Sequence, residues 1–270
     1  MKIQFNAERI TRLDDALKSS NNSLSPYKLW VILCVASLSL FWVHYLKYSV
    51  VFRDLVTTLA SLLNAPTLLT LIQPSTDILI QLLPQAWWCL QHIIGFIVIP
   101  MLTLKCLGVP HVNTCWRWGR THDHALIYIA LTLLIMSFAV GASFRADFLH
   151  TYPFYRLAHR SWLDLIGWEV IYLVQFICVE FFFRGFLLHS VKHNLGVASV
   201  FVMTIPYVML HFQKPWLEAF GAFGFGIILG LLSLLSRSIW GGVLVHISIA
   251  LTMDLLSLFQ QNKLPTQWLP

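Results

Sequence analysis

An all-α fold, a polytopic bundle of seven or eight transmembrane helices, is what this sequence predicts, and three observations predict it. The 270 residues are 57% hydrophobic. Only 11% are charged, against about 25% in soluble domains. The apolar residues also come in runs of about 20, the length an α-helix needs to cross a bilayer.

The first segment, residues 1–26, is polar. It mixes Glu8, Arg9, Arg12, Asp14 and Asp15 and has no apolar central region, so it does not read as a signal peptide. Ile3, Ile10, Leu13 and Leu17 fall on one helical face. The segment is therefore either an interfacial amphipathic helix or a frayed polar tail. Residues 27–123 form an amino-terminal group of spans, at about Tyr27–Leu46 and Gln85–Leu107. A weaker run at Leu55–Ile72 is interrupted by Asn64-Ala65-Pro66, where proline kinks a helix or marks a re-entrant piece. Residues 124–260 hold the remaining spans, at His124–Phe144, Leu163–His189, Leu195–Phe212, Leu217–Ser236 and Ile239–Phe259. Residues 261–270 are a short tail. Lys2, Arg9, Arg12, Lys18 and Lys28 precede the first span and favour a cytoplasmic amino terminus. Later loops are basic on both sides in either count of spans.

The net charge of +6 is spread over loops. It suits a lipid bilayer and topology, with no basic block that would take nucleic acid. The five cysteines have no zinc-finger or CxxC spacing and imply no disulfide framework.

Ionisable groups gather in the second half. Glu169, Glu180, Arg184, His211, His246 and Asp254 all lie inside apolar runs. Charges at membrane depth cost about 2.5–3.5 kcal/mol each on the insertion scale and mark function by default. Glu180 and Arg184 are four residues apart and share a helix face. Glu169 lies about 16 Å from Glu180 along the axis and cannot act on the same atom; it reads as a carboxyl that ties helices together. Tyr207 and His211 are again i,i+4 on the next helix, and His246 lies on the last. One Glu and two His on three helices offer two chemistries. Glu180, His211 and His246 can hold a single zinc ion with an open position. Without a cofactor, Glu180 can act as base on a water that a His orients. Glu218, in KPWLEAF, either reaches the mouth of such a site or is a first-turn acid favoured by the helix dipole.

The order Glu-xxx-Arg-Gly, aromatic-xxx-His, then His, each on a membrane helix, resembles the CAAX prenyl protease and bacteriocin-processing (CPBP, or Abi) family of intramembrane proteases over roughly residues 124–260. YPFYR at 152–156, HFQKP at 211–215 and RSIWGGVLVH at 237–246 resemble a bacterial branch that includes myxosortase-like members. The resemblance implies an intramembrane endopeptidase, glutamate-type or metallo-type, in a bacterial cytoplasmic membrane. Its substrate is a membrane-associated protein or peptide, cut near its C-terminus or a membrane-proximal segment. Glu180 and His211 activate water, His246 with Tyr207 stabilises the oxyanion, and Arg184 pairs with Glu180. Two positions depart from the family pattern. Val179 stands where the family has its first Glu, and Ala250 where it has Asn or Asp. Asp254, about 80° round from His246 and two turns on, is a poor stand-in. These departures keep a catalytically inactive scaffold or immunity factor as the alternative. A transporter is the third reading, weakened by the lack of matching broken helices in two halves.

Overall fold

The computed structural model describes residues 7–19, 22–110 and 115–270; Lys2, Ile3 and the side chain of Arg9 lie outside the described residues. The fold is all-α, with no strand among the described residues. Among the described residues, six helical stretches are long and apolar enough to cross a membrane: Pro26–Leu46 (α2), Ile78–Cys106 (ending in α5, Ile99–Cys106), Thr121–Ala142 (containing α6, Ala125–Ala142, with the short α7, Ala146–Thr151, after it), Trp162–Leu195, Trp216–Ser236 and Trp240–Gln260. The apolar helix Ala198–Met209 is shorter.

The predicted run Leu55–Ile72 is not one span. Helix α3 (Ser49–Leu62) stops short, Asn64 takes a left-handed conformation with φ 51°, and a separate 3₁₀ segment covers Pro66–Ile72. Pro66 has no N–H to continue the ladder and disfavours helical geometry in the residue before it.

The chain divides into two compact units. The first comprises residues 1–38, 99–131 and 180–245. Here α1 (Ala7–Lys18) is a docked helix, not a frayed tail. Asp14 accepts the backbone N–H of Val197 at 2.8 Å and pairs with Lys18 at 2.8 Å. Asn194 bonds both the N–H and the carbonyl of Leu24. Position 196 must be glycine. Its φ is +59°, and a Cβ there would lie 2.0 Å from the Asp14 carboxylate. The Lys18 ammonium and the Val197 N–H hold the Asp14 carboxyl below its usual value of 3.8. A lowered carboxyl pKa gives stability that is present above the unfolded value and lost as pH falls through the folded one. Docking of α1 is therefore expected to persist at neutral and mildly acidic pH and to fail only below about pH 4. A spin label at position 10 checks this, as a rise in mobility confined to that acid range.

In the same unit, α9 (His189–Leu195) precedes α10 (Ala198–Met209), which packs on α11 (Trp216–Ser236). The packing is close because Gly226 and Gly230 present bare backbone to Thr204, Tyr207, Val200 and Met203. The loop after residue 114 is pinned to the turn that follows α11. Ile239 N–H donates to the Cys115 carbonyl at 3.1 Å and Arg120 N–H to the Ser236 carbonyl at 2.7 Å.

The second unit comprises residues 39–98, 132–179 and 246–270. Its core joins Tyr155, Ala158, Leu165, Trp168, Tyr172, Ala250 and Leu258. Trp88, on α4 (Ile78–Ile93), has its ring 5.9 Å from Trp168. Helix α8 (Trp162–Glu180) starts on a saturated carboxylate. Asp164 is fully buried and accepts from Tyr155 Oη, Arg160 Nε, Arg160 Nη2 and Ser161 Oγ at 2.7–3.0 Å. Tyr155→Phe deletes one of these bonds to a charged acceptor. It is expected to cost about 1.5–3 kcal/mol, read as a lower unfolding midpoint in detergent. Glu169 on α8 lies near the carboxyl of Asp254 on α12 (Trp240–Gln260), and Trp168 Nε1 donates to Asp254 at 2.8 Å. The Trp168–Asp254 bond ties these two helices together within this unit.

Candidate functional site

At Glu180, where α8 ends, a π-helical stretch begins, Phe181–Leu188, all eight residues of which are buried. π-Helical turns are rare and recur at functional sites. This one carries Arg184 among four phenylalanines.

Glu180 Oε1 lies 2.9 Å from Arg184 Nη1, and the two side chains are 1% and 0% exposed. A buried ion pair repays its desolvation only with further contacts, and several are present. The guanidinium carbon sits 4.2 Å from the centroid of the Tyr207 ring, a cation–π contact. Phe183 meets that ring edge-on at 5.5 Å. On the other side of the carboxylate runs the first turn of α12. A Cβ placed on Gly242 would lie 2.2 Å from Glu180 Oε2, so bare backbone touches the acid there. The positive end of a helix dipole favours a carboxylate in that position.

His211 follows α10, its ring 4.9 Å from that of Tyr207. Its Nδ1 lies 3.0 Å from the Tyr207 carbonyl oxygen. A carbonyl only accepts, so Nδ1 carries the proton and the lone pair of the neutral ring is on Nε2. The first unit therefore brings Glu180, Arg184 and Tyr207 into contact, with His211 against Tyr207. Glu218 belongs to the same neighbourhood. It pairs loosely with Lys214 at 3.7 Å.

One residue here escaped the sequence reading. Tyr128 presses its ring on Gly241, sets its hydroxyl 3.4 Å from Ser236 Oγ, and lies within electrostatic reach of Glu180. Its only signal in the sequence is a lone phenol in the apolar run ALIYIALT.

His246 belongs to the second unit. It is 9% exposed, and its ring stacks on Phe176 at 5.4 Å with 13° between the planes. Ala250, one turn on, is 3% exposed in that unit's core, and Val179 is 5% exposed. Asp254 accepts from Trp168 Nε1 in that unit.

Among the described residues, no group of three or more His, Cys, Asp or Glu is placed to hold a metal ion. The donor chemistry of the first unit agrees. Glu180 already holds a guanidinium, which a cation would have to displace, and the His211 imidazole lies against Tyr207. Within the first unit, Glu180 and His211 by themselves fall short of the three protein ligands of a zinc site.

Residues 161–252 match the family described as type II CAAX prenyl endopeptidase Rce1-like. The matched stretch contains Glu180, Arg184, Tyr207, His211 and His246. It is the family as a whole that matches, without singling out a myxosortase-like branch. No curated protein and no solved structure matches the chain.

Proposed function

We propose, from the match of residues 161–252 to the type II CAAX prenyl endopeptidase Rce1-like family, that this multi-pass membrane protein is an intramembrane endopeptidase. It acts on a membrane-associated protein or peptide, near the C-terminus or a membrane-proximal segment, in a bacterial cytoplasmic membrane. The observation that carries the reading is the Glu180–Arg184 pair, buried in an apolar helix under Tyr207. In the proposed reaction Glu180 takes a proton from a water that the Nε2 lone pair of His211 orients. The hydroxide adds to the peptide carbonyl carbon, and the Tyr207 hydroxyl carries the charge that forms on oxygen, the role that the family resemblance gives to His246. Collapse of that adduct breaks the C–N bond, and the proton held by Glu180 leaves with the amine. Arg184 keeps Glu180 in place.

A second reading has an observation of its own. Glu180 is 1% exposed and already engaged by Arg184, and the family's first Glu is absent at Val179. Both suit a non-catalytic membrane scaffold whose ion pair is structural.

Comparing the C-terminal tails of membrane proteins in matched cells with and without the chain separates the two. The endopeptidase yields shortened tails only where the chain is present; identical tails leave the scaffold. Tyr207→Phe refines the test. The ring still covers Arg184, so abundance is expected to hold, while loss of one oxyanion donor slows cleavage by about 10²–10³.

A further inference from the structure

We propose that Gly242 is the positioning residue for Glu180. Having no side chain, it lets the first turn of α12 close on the carboxylate and fix it against Arg184. The catalytic consequence rests on the endopeptidase reading; the steric relation does not.

The relation is specific in its atoms. A Cβ on Gly242 would lie 2.2 Å from Oε2, 2.8 Å from Cδ and 3.4 Å from Oε1 of Glu180. All three nearest contacts belong to one carboxylate. The other oxygen, Oε1, is the one Arg184 holds at 2.9 Å. The acid is thus clamped between a guanidinium and a helix backbone, with no room for a methyl group between. The clamp is also polar. The Val243 N–H reaches back to the Ile239 carbonyl at 3.0 Å, which puts Gly242 in the opening turn of a 21-residue helix. The N–H groups of that turn lack intrahelical acceptors and carry the positive end of the dipole.

The neighbouring glycine supplies the comparison. At Gly241 a Cβ would meet the Tyr128 ring at 2.2–2.6 Å and no carboxylate. Both glycines allow close packing, but only Gly242 abuts the acid. Glu180→Asp withdraws the carboxylate by one methylene and so makes room at position 242 alone.

The experiment uses the full chain. It compares wild type, Gly242→Ala, Gly241→Ala and Glu180→Asp, together with each glycine variant combined with Glu180→Asp. Abundance in membranes, melting temperature in detergent and cleavage of membrane-protein tails are read for each. Gly242→Ala is expected to lower abundance and melting temperature and to cut cleavage by about 10²-fold, the cost of an ångström-scale misplacement. Adding Glu180→Asp restores its abundance and melting temperature to those of Glu180→Asp alone. Gly241→Ala gains nothing from the same addition. If Gly242→Ala fails to accumulate, recovery of abundance in the double variant carries the same information. Wild-type behaviour of Gly242→Ala overturns the proposal, as does rescue of both glycine variants alike or of neither. If even wild type cleaves nothing, the endopeptidase reading fails, and the melting temperatures still decide whether Gly242 positions Glu180.

Discussion

Arg184→Met is expected to destabilise the protein by about 3–5 kcal/mol, because it leaves the Glu180 carboxylate buried without its cation. Both side chains are essentially inaccessible, so water cannot replace the lost guanidinium. The Tyr207 ring loses its cation in the same step. Replacing both ions, with Glu180→Met added to Arg184→Met, is expected to return most of that stability. Apolar side chains of similar length carry no desolvation cost, and such exchanges are often neutral or better. Arg184→Lys falls between these, since the ammonium keeps the charge but not the planar face that lies on Tyr207. Unfolding midpoints of the four proteins in one detergent check the series. Arg184→Met as stable as wild type would show that the pair contributes nothing to the fold.

The long spans were legible because each is a single apolar run that only a membrane helix accommodates. The break at Asn64-Ala65-Pro66 was legible for the same local reason: proline is a backbone constraint that neighbours cannot override. The short helix before His211 was harder. Its predicted bounds, Leu195–Phe212, shrink to Ala198–Met209. Gly196 turns left-handed at one end, and the chain tightens into a turn from His211 to Lys214 at the other. The docking of α1 could not be read at all from periodicity. Asp14 owes its place to the Val197 N–H, 183 residues along the chain.

The site divides along the same line. Glu180 and Arg184 stood out because apolar surroundings make any charge conspicuous, and their spacing places them on one face. The π-helical stretch after Glu180 was hidden, since the composition of FFFRGFLL is equally that of an α-helix. Gly242 and Tyr128 were hidden for a deeper reason. A glycine in a membrane helix and a single tyrosine are ordinary residues until the fold sets them against a carboxylate.

Glu180→Gln is the variant that judges the central claim, that the buried acid is there for chemistry. The amide has the shape of the acid and still faces the Arg184 guanidinium, but it leaves that buried cation without its counter-charge, so a loss of stability is expected and the two proteins are compared at equal abundance. It cannot take a proton from water, so cleavage is expected to disappear. The measurement is the sequencing of membrane-protein C-terminal tails by mass spectrometry, in matched cells expressing wild type or Glu180→Gln at equal levels. Shortened tails with wild type and intact tails with the variant are the expected result. Equal shortening in both would contradict the account and leave the Glu180–Arg184 pair as a structural strut.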